Sequence, residues 1–179
     1  MRLLSIQPIY SPIFHFCMSK STDLDLNSAK DTISNALIRE ALSVAASRGL
    51  DIVNIANQAG ISVELLSSTK ARVPVTQCAQ LWIELAEQMN DEFLGMDRHP
   101  MRRGSYSLLA KLAFSAETLE QAIQEILKFL SLVLDDIQGE LIQQGAKAYL
   151  ILHDREHPKR MFTYSTYLML VHSLMCWLS

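Results

Sequence analysis

The stretch "HDREHPKR" brings His153, Asp154, Glu156 and His157 close together. Two imidazoles and two carboxylates are a donor set for zinc or another transition metal. The spacing falls in a turn rather than on one helix face, so a solvated charged loop is expected and no metal. This cluster is the whole support for reading the chain as a small metal-dependent enzyme. Asp135-Asp136 is a carboxylate pair near a helix end. Catalytic pairs oppose each other across a substrate, whereas neighbours on a helix point apart, so surface or capping use is expected. Arg102-Arg103 precede Gly104-Ser105. Amides at a helix start with guanidinium groups beside them can hold a carboxylate or phosphate, and surface ion pairing is the plainer alternative. His172 lies in an apolar run and reads as a satisfied core or interface histidine, with a ligand contact or pH sensor as the other option. There is no P-loop, dinucleotide fingerprint or nucleophile elbow.

Composition narrows the classes further. The chain has 179 residues, 49% of them hydrophobic, which is material for one core of ordinary size. Its formal net charge of −3 leans against gripping nucleic acid unaided. Cys17, Cys78 and Cys176 are far apart and odd in number, which predicts reduced thiols rather than a disulfide framework or zinc site. Residues 1–17 carry apolar residues with Pro8 and Pro12 and no small-residue cleavage site. They read as an extension of uncertain order, with residues 18–179 forming one domain.

Helical periodicity dominates what must position these residues. Ile33, Leu37, Ile38, Ala41, Leu42, Val44 and Ala45 form a stripe within Ser28–Arg48, which Gly49 would cap. Asp51 predicts the cap of a short helix that ends at Gly60, and Ser62 the start of another. Pro74 suits the first position of a helix carrying Leu81, Trp82, Leu85, Ala86 and Met89. Ser105–Ala113 reads as a helix. After Ser115 the apolar face Leu119, Ile123, Ile126, Leu127, Leu130, Val133 and Leu134 opposes Glu120, Gln124, Glu125 and Lys128. The period then changes. Gly139–Gln143 and Lys147–His153 predict two strands joined at Gln144-Gly145. The closing run from Met161 is helix-length and apolar, yet Thr163, Ser165, Thr166, His172 and Ser173 argue for a buried packing helix or oligomer face over a membrane span. The expected fold is α+β: mainly helical, with a small antiparallel strand pair near residues 139–153 and a buried C-terminal helix.

The segment "DIVNIANQAGISVELL" has the turn of a helix-turn-helix. A DNA-reading unit needs basic or amide side chains on its second helix. Here that helix offers Glu64 and serines, with Lys70 and Arg72 coming late and Pro74 close behind. Two packed helices joined by a glycine turn are expected, without a DNA-reading face.

Several landmarks then occur in order: "AGIS" followed by "LL", "RVP" before a Leu-Trp helix, "DEFLG", "MRRGSY", "TLEQA" opening a helix that ends in "LDD", and the closing "HSLMCWL". Over about residues 30–178 the chain resembles the N-terminal, arabinose-binding-type domain of AraC family bacterial transcription regulators. That resemblance implies a cytoplasmic effector-sensing or dimerising domain, a small-molecule effector, no cofactor and no membrane. It also implies that DNA is bound through a separate C-terminal pair of helix-turn-helix units, which these 179 residues do not contain. A self-association module without an effector is the alternative. Most aromatics are expected in the core. A pocket for a small, partly apolar effector is sought among Trp82, Phe93, Arg102, Arg103, Tyr106, Phe129, Tyr164 and His172.

Overall fold

The computed structural model describes residues 32–68 and 70–178. The expected extension over residues 1–17, Cys17 and the helix start at Ser28 lie outside the described residues. The chain runs β1 (Thr32–Ser34), α1 (Asn35–Ser47), α2 (Ile52–Gln58), α3 (Val63–Ser67), β2 (Arg72–Pro74), α4 (Val75–Met89), α5 (Ser105–Phe114), α6 (Leu119–Val133), β3 (Ile137–Gln144), β4 (Lys147–Asp154) and α7 (Met161–Leu178). The fold is α+β and mainly helical, with antiparallel pairs β1–β2 and β3–β4.

The β3–β4 hairpin falls where the change of period places it, and is slightly longer at its ends. Gly145 holds a φ of +62° at the first central turn position, as a tight two-residue connection requires. The β1–β2 pair is an addition to the expected fold. Its register, Thr32 opposite Pro74 and Ser34 opposite Arg72, spans too few residues for alternation to show. Two helix starts move as a result. Ser34, accepting from the Ala36 amide, caps α1 at Asn35. Pro74 closes β2 and serves as N-cap of α4 instead of its first helical residue. Likewise Ser115 ends α5, and Thr118 caps α6 by accepting from the Gln121 amide.

The glycine turn at residues 51–66 forms as expected. Asp51 accepts from the amides of Val53 and Asn54. Gly60, at φ +74°, donates to the Asn57 carbonyl, and Ile61 donates to that of Ala56. This paired closure satisfies carbonyls that a helix end otherwise leaves open. Ile55, Ala56 and Ile61 are fully buried. The second helix, α3, has five residues and none is buried. Its end is tied to α1 by the buried Asn35 amide, which donates to the carbonyls of Leu65, Leu66 and Ser68. A single tethered turn of helix packs and does not reach into a DNA groove.

Two apolar clusters form the core. The first gathers α1, α2 and α4 around Ile38, Leu42, Ile55, Leu81 and Leu85. The second gathers α5, α6, β3 and α7 around Leu109, Ile126, Leu130, Ile137 and Leu170. Helix α7 serves both. Phe162 enters the first cluster, edge-on to Trp82 with ring centroids 6.2 Å apart. Tyr167, Leu170, Val171 and Leu174 enter the second. The helix is buried along one side, and Met161, Leu168 and Trp177 face outward. No helix among the described residues is long and apolar enough to cross a membrane.

Candidate functional site

The connection from Asp91 to Gly104 is held by carboxylates of the chain itself. Asp91, 2% exposed, accepts from the amides of Phe93, Gly95 and Met101. Burial pushes its carboxyl above the ordinary value, against the lowering effect of those three amides and the Arg48 charge. Glu92 accepts from the amides of Gly104 and Tyr106. It therefore fills the N-terminus of α5, where Gly104 has no capping side chain. The amides of Gly104 and Tyr106, which could have held an anion beside Arg102-Arg103, are thus bonded to Glu92. Arg103 pairs with Glu87 at 2.9 Å, and Arg102 is exposed.

Asp97 and Asp136 clasp this connection to the start of β3. Asp97 accepts from the amides of His99, Asp135 and Asp136. The expectation of surface or simple capping use fails for Asp136, whose side chain is buried at the centre of a charge network. Arg98 Nε and Lys159 Nζ reach it at 2.6 and 2.7 Å, and Arg98 also holds Glu156. Burial alone would raise the Asp136 carboxyl, but the bonds from Lys159 and Arg98 outweigh it and hold the carboxyl below its usual range. A depressed folded value means the contribution to stability is present above the unfolded value, near pH 4, and is lost as pH falls through the folded one. Wild-type Tm is therefore expected to drop on acidification below about pH 5, and Asp136→Asn to flatten that limb while lowering Tm at neutral pH. Thermal unfolding followed across a pH series checks this. A variant with an unchanged acid limb would remove Asp136 as its source.

The remaining sequence candidates are dispersed. Trp82 and Phe93 lie in different clusters. Tyr106 is buried against α7, its hydroxyl 2.5 Å from Ser173 Oγ, and burial pushes its phenol up to about 12. Phe129 packs on the second cluster. Tyr164 accepts from the Lys159 amide and donates to Asp154, a bond that raises its phenol. His172 sits on the outward side of α7 beside Cys176, with Sγ–Nε2 at 3.6 Å. The "HDREHPKR" side chains also diverge. His153 meets Glu140, Asp154 meets Tyr164, and Glu156 meets Arg98.

A concave site lies elsewhere, between α6 and β3. Gln124, Leu127, Lys128 and Ser131 form one wall, and Gln138, Gly139 and Leu141 the other, around about 410 Å³. The α6 residues are spaced at helical intervals on one face, so one stripe borders the cleft. Helix α6 runs out along its wall and β3 runs back along the other. Gly139 is pressed against the cleft's base. A Cβ there would lie 2.6 Å from both Leu127 Cδ2 and the Tyr167 hydroxyl. Tyr167 is fully buried, and its hydroxyl has no hydrogen-bond partner, although the Gly139 amide lies beside it outside bonding geometry. Burial pushes this phenol up to about 12. Sequence reasoning missed these residues because Gln124 and Lys128 read as plain solvent face. A glycine inside an apolar strand was the available signal, since it marks close approach of backbone and neighbour.

The family model for the N-terminal arabinose-binding domain of AraC transcription regulators matches residues 49–179. The match takes in α2 through α7, and so both walls of the cleft and the carboxylate-held connection. No curated protein and no solved structure matches the chain. The chain belongs to the family of N-terminal arabinose-binding domains of AraC transcription regulators.

Proposed function

We propose that this domain senses a small-molecule effector for its regulator, and that the effector sits in the cleft between α6 and β3. The observation that carries this reading is the contact beneath the cleft. Gly139 lines the cleft on one side and touches Tyr167 of α7 on the other. Helix α7 packs into both core clusters, so a displacement at Tyr167 bears on both. An effector that favours one arrangement of that contact shifts the population of states available to a DNA-binding half. The volume is in the usual range for small-ligand sites, and the lining mixes apolar and polar groups.

A thermal-shift screen with amino acids, sugars and short fatty acids tests the reading. A compound at a hundredfold excess over its Kd is expected to stabilise the domain by about 2.7 kcal/mol, or several degrees in Tm. No stabilisation by any class would contradict effector sensing.

Self-association is a second reading, favoured by the apolar residues left exposed on α5 and α7. Leu108, Leu112, Phe114 and Trp177 are all open to solvent, and Phe114 and Trp177 stack edge-on at 4.4 Å. Contiguous exposed apolar surface marks interaction faces. Sedimentation at several concentrations decides it, since a strict monomer excludes this role.

A further inference from the structure

We infer that the cleft takes a carboxylate-bearing amide laid in extended form along β3, the chemistry shared by N-acylated amino acids and short peptides with a free C-terminus. The inference rests on the effector reading of the same cleft and names its ligand class.

The first ground is the open edge of β3. In an antiparallel pair, residues alternate between those bonded to the partner strand and those turned away from it. The tight turn makes Gln144 and Lys147 a bonded pair, and the Arg155 amide donates to the Asp136 carbonyl at the other end. Counting between these ends, the backbone groups of Gly139 and Leu141 turn away from β4: the Gly139 amide lies beside the buried Tyr167 hydroxyl, and Leu141 carries the edge that borders the cleft. In this register Leu141 stands opposite Leu150 as a non-bonded pair, and no backbone bond from outside the hairpin reaches its N–H or C=O among the described residues. A ligand with its own amide can pair with this edge as an added strand does.

Length and charge supply the second ground. Gln124 to Ser131 spans about 10 Å along the helix, and Gln138 to Leu141 about 10 Å along the strand. Both walls therefore match an extended ligand of two or three residues. Lys128 is the charged side chain of the lining and forms no ion pair among the described residues. No carboxylate lines the cleft, and Glu140 is turned to the hairpin's other face, where it meets His153. A cationic ligand has no counter-charge here, whereas a carboxylate does. Leu127, Leu141 and the bare Gly139 leave an apolar seat for a side chain or acyl group. The lining has no aromatic face for a sugar ring.

Titration calorimetry of the full chain tests this with two probes, acetyl-valyl-leucine and N-hexanoylglycine, which separate the peptide from the acyl source. At least one is expected to bind. The methyl ester of that probe is expected to lose about tenfold in affinity, as a charge-assisted bond disappears. Its depsi analogue, with ester oxygen in place of the amide N–H, is expected to lose about fivefold. Lys128→Gln should match the ester loss and make binding indifferent to esterification. Because the depsi comparison leaves the protein unchanged, it does not depend on a variant folding. Equal binding of acid, ester and depsi forms overturns the proposal, as does binding of hexanoate as tight as that of the amides. If neither probe binds while a stabilising sugar or amino acid shifts the Lys128 and Leu141 amides in nitrogen-15 spectra, the ligand class is wrong and the effector cleft stands. If that compound shifts amides elsewhere, both readings fall.

Discussion

Asp91→Ala is expected to lower the unfolding free energy by about 3–5 kcal/mol, with Tm falling by roughly 10 °C. Three buried amides, those of Phe93, Gly95 and Met101, share this one carboxylate. An unsatisfied buried N–H costs about 1–3 kcal/mol, and relaxation or an entering water recovers only part of the sum. Phe93 and Met101 are fully buried beside these amides, which limits access for water. Asp91→Asn should cost less, about 1–2 kcal/mol. Its remaining carbonyl oxygen can keep the two bonds made by Oδ1, while its NH2 group faces the Gly95 amide. Urea unfolding measures both variants, and the midpoint should move with the slope unchanged. Similar stability of wild type and Asp91→Ala would show that the connection is not held by this residue. The raised Asp91 carboxyl works against Asp136 in acid, because ionising it costs stability as pH rises through its window. The Asn variant removes that opposition, so it should steepen the acid limb that Asp136→Asn flattens.

The second large effect belongs to Gly139. Its φ is ordinary, so the cost of Gly139→Ala is steric and not a matter of backbone strain. A methyl 2.6 Å from both Leu127 Cδ2 and the Tyr167 hydroxyl forces one of them to move. Leu127 can turn toward the cleft, but Tyr167 is fully enclosed between α6, β3 and α7. Overpacking of this kind costs about 1–3 kcal/mol, or about 3–10 °C in Tm. The same movement narrows the cleft, so the variant should also lose the stabilisation that an effector confers on wild type. Tyr167→Phe separates the two effects. It removes an unbonded hydroxyl, leaves the cleft lining intact and is expected to be neutral or slightly stabilising. Paired with Gly139→Ala, it should recover part of the lost stability. Thermal unfolding of the four proteins with and without effector reads out the cycle.

How much was legible in the sequence follows from the range of each signal. Caps such as Asp51 and Ser62 and the turn at Gly60 act within a few residues, and they fell where the residues predict. The hairpin was legible because the helical period stops after Asp136 and two short runs flank Gln144-Gly145. The pair β1–β2 was not, since three-residue strands forty positions apart carry no period of their own. Asp136 reads as a surface or capping acid and Asp91 and Asp97 carry no signal, because the bonds that join them to Met101, to Asp135 and Asp136, and to Arg98 and Lys159 form only when the chain folds. The aromatic residues sought for a pocket went mainly into the core, as large apolar side chains do. The cleft instead uses Gln124, Lys128 and Ser131, which on α6 alone cannot be told from residues facing solvent. Their role depends on β3 folding back beside them.

The cleft between α6 and β3 is the proposed meeting place of this domain and its effector. Nitrogen-15 spectra of the chain, recorded while titrating a compound that raises its Tm, test it most directly. The expected result is a set of amide shifts centred on Gln124, Lys128, Gly139 and Leu141 and extending to Tyr167 on α7. Shifts confined to α1, α2 and α4, with those five amides unmoved, would contradict it.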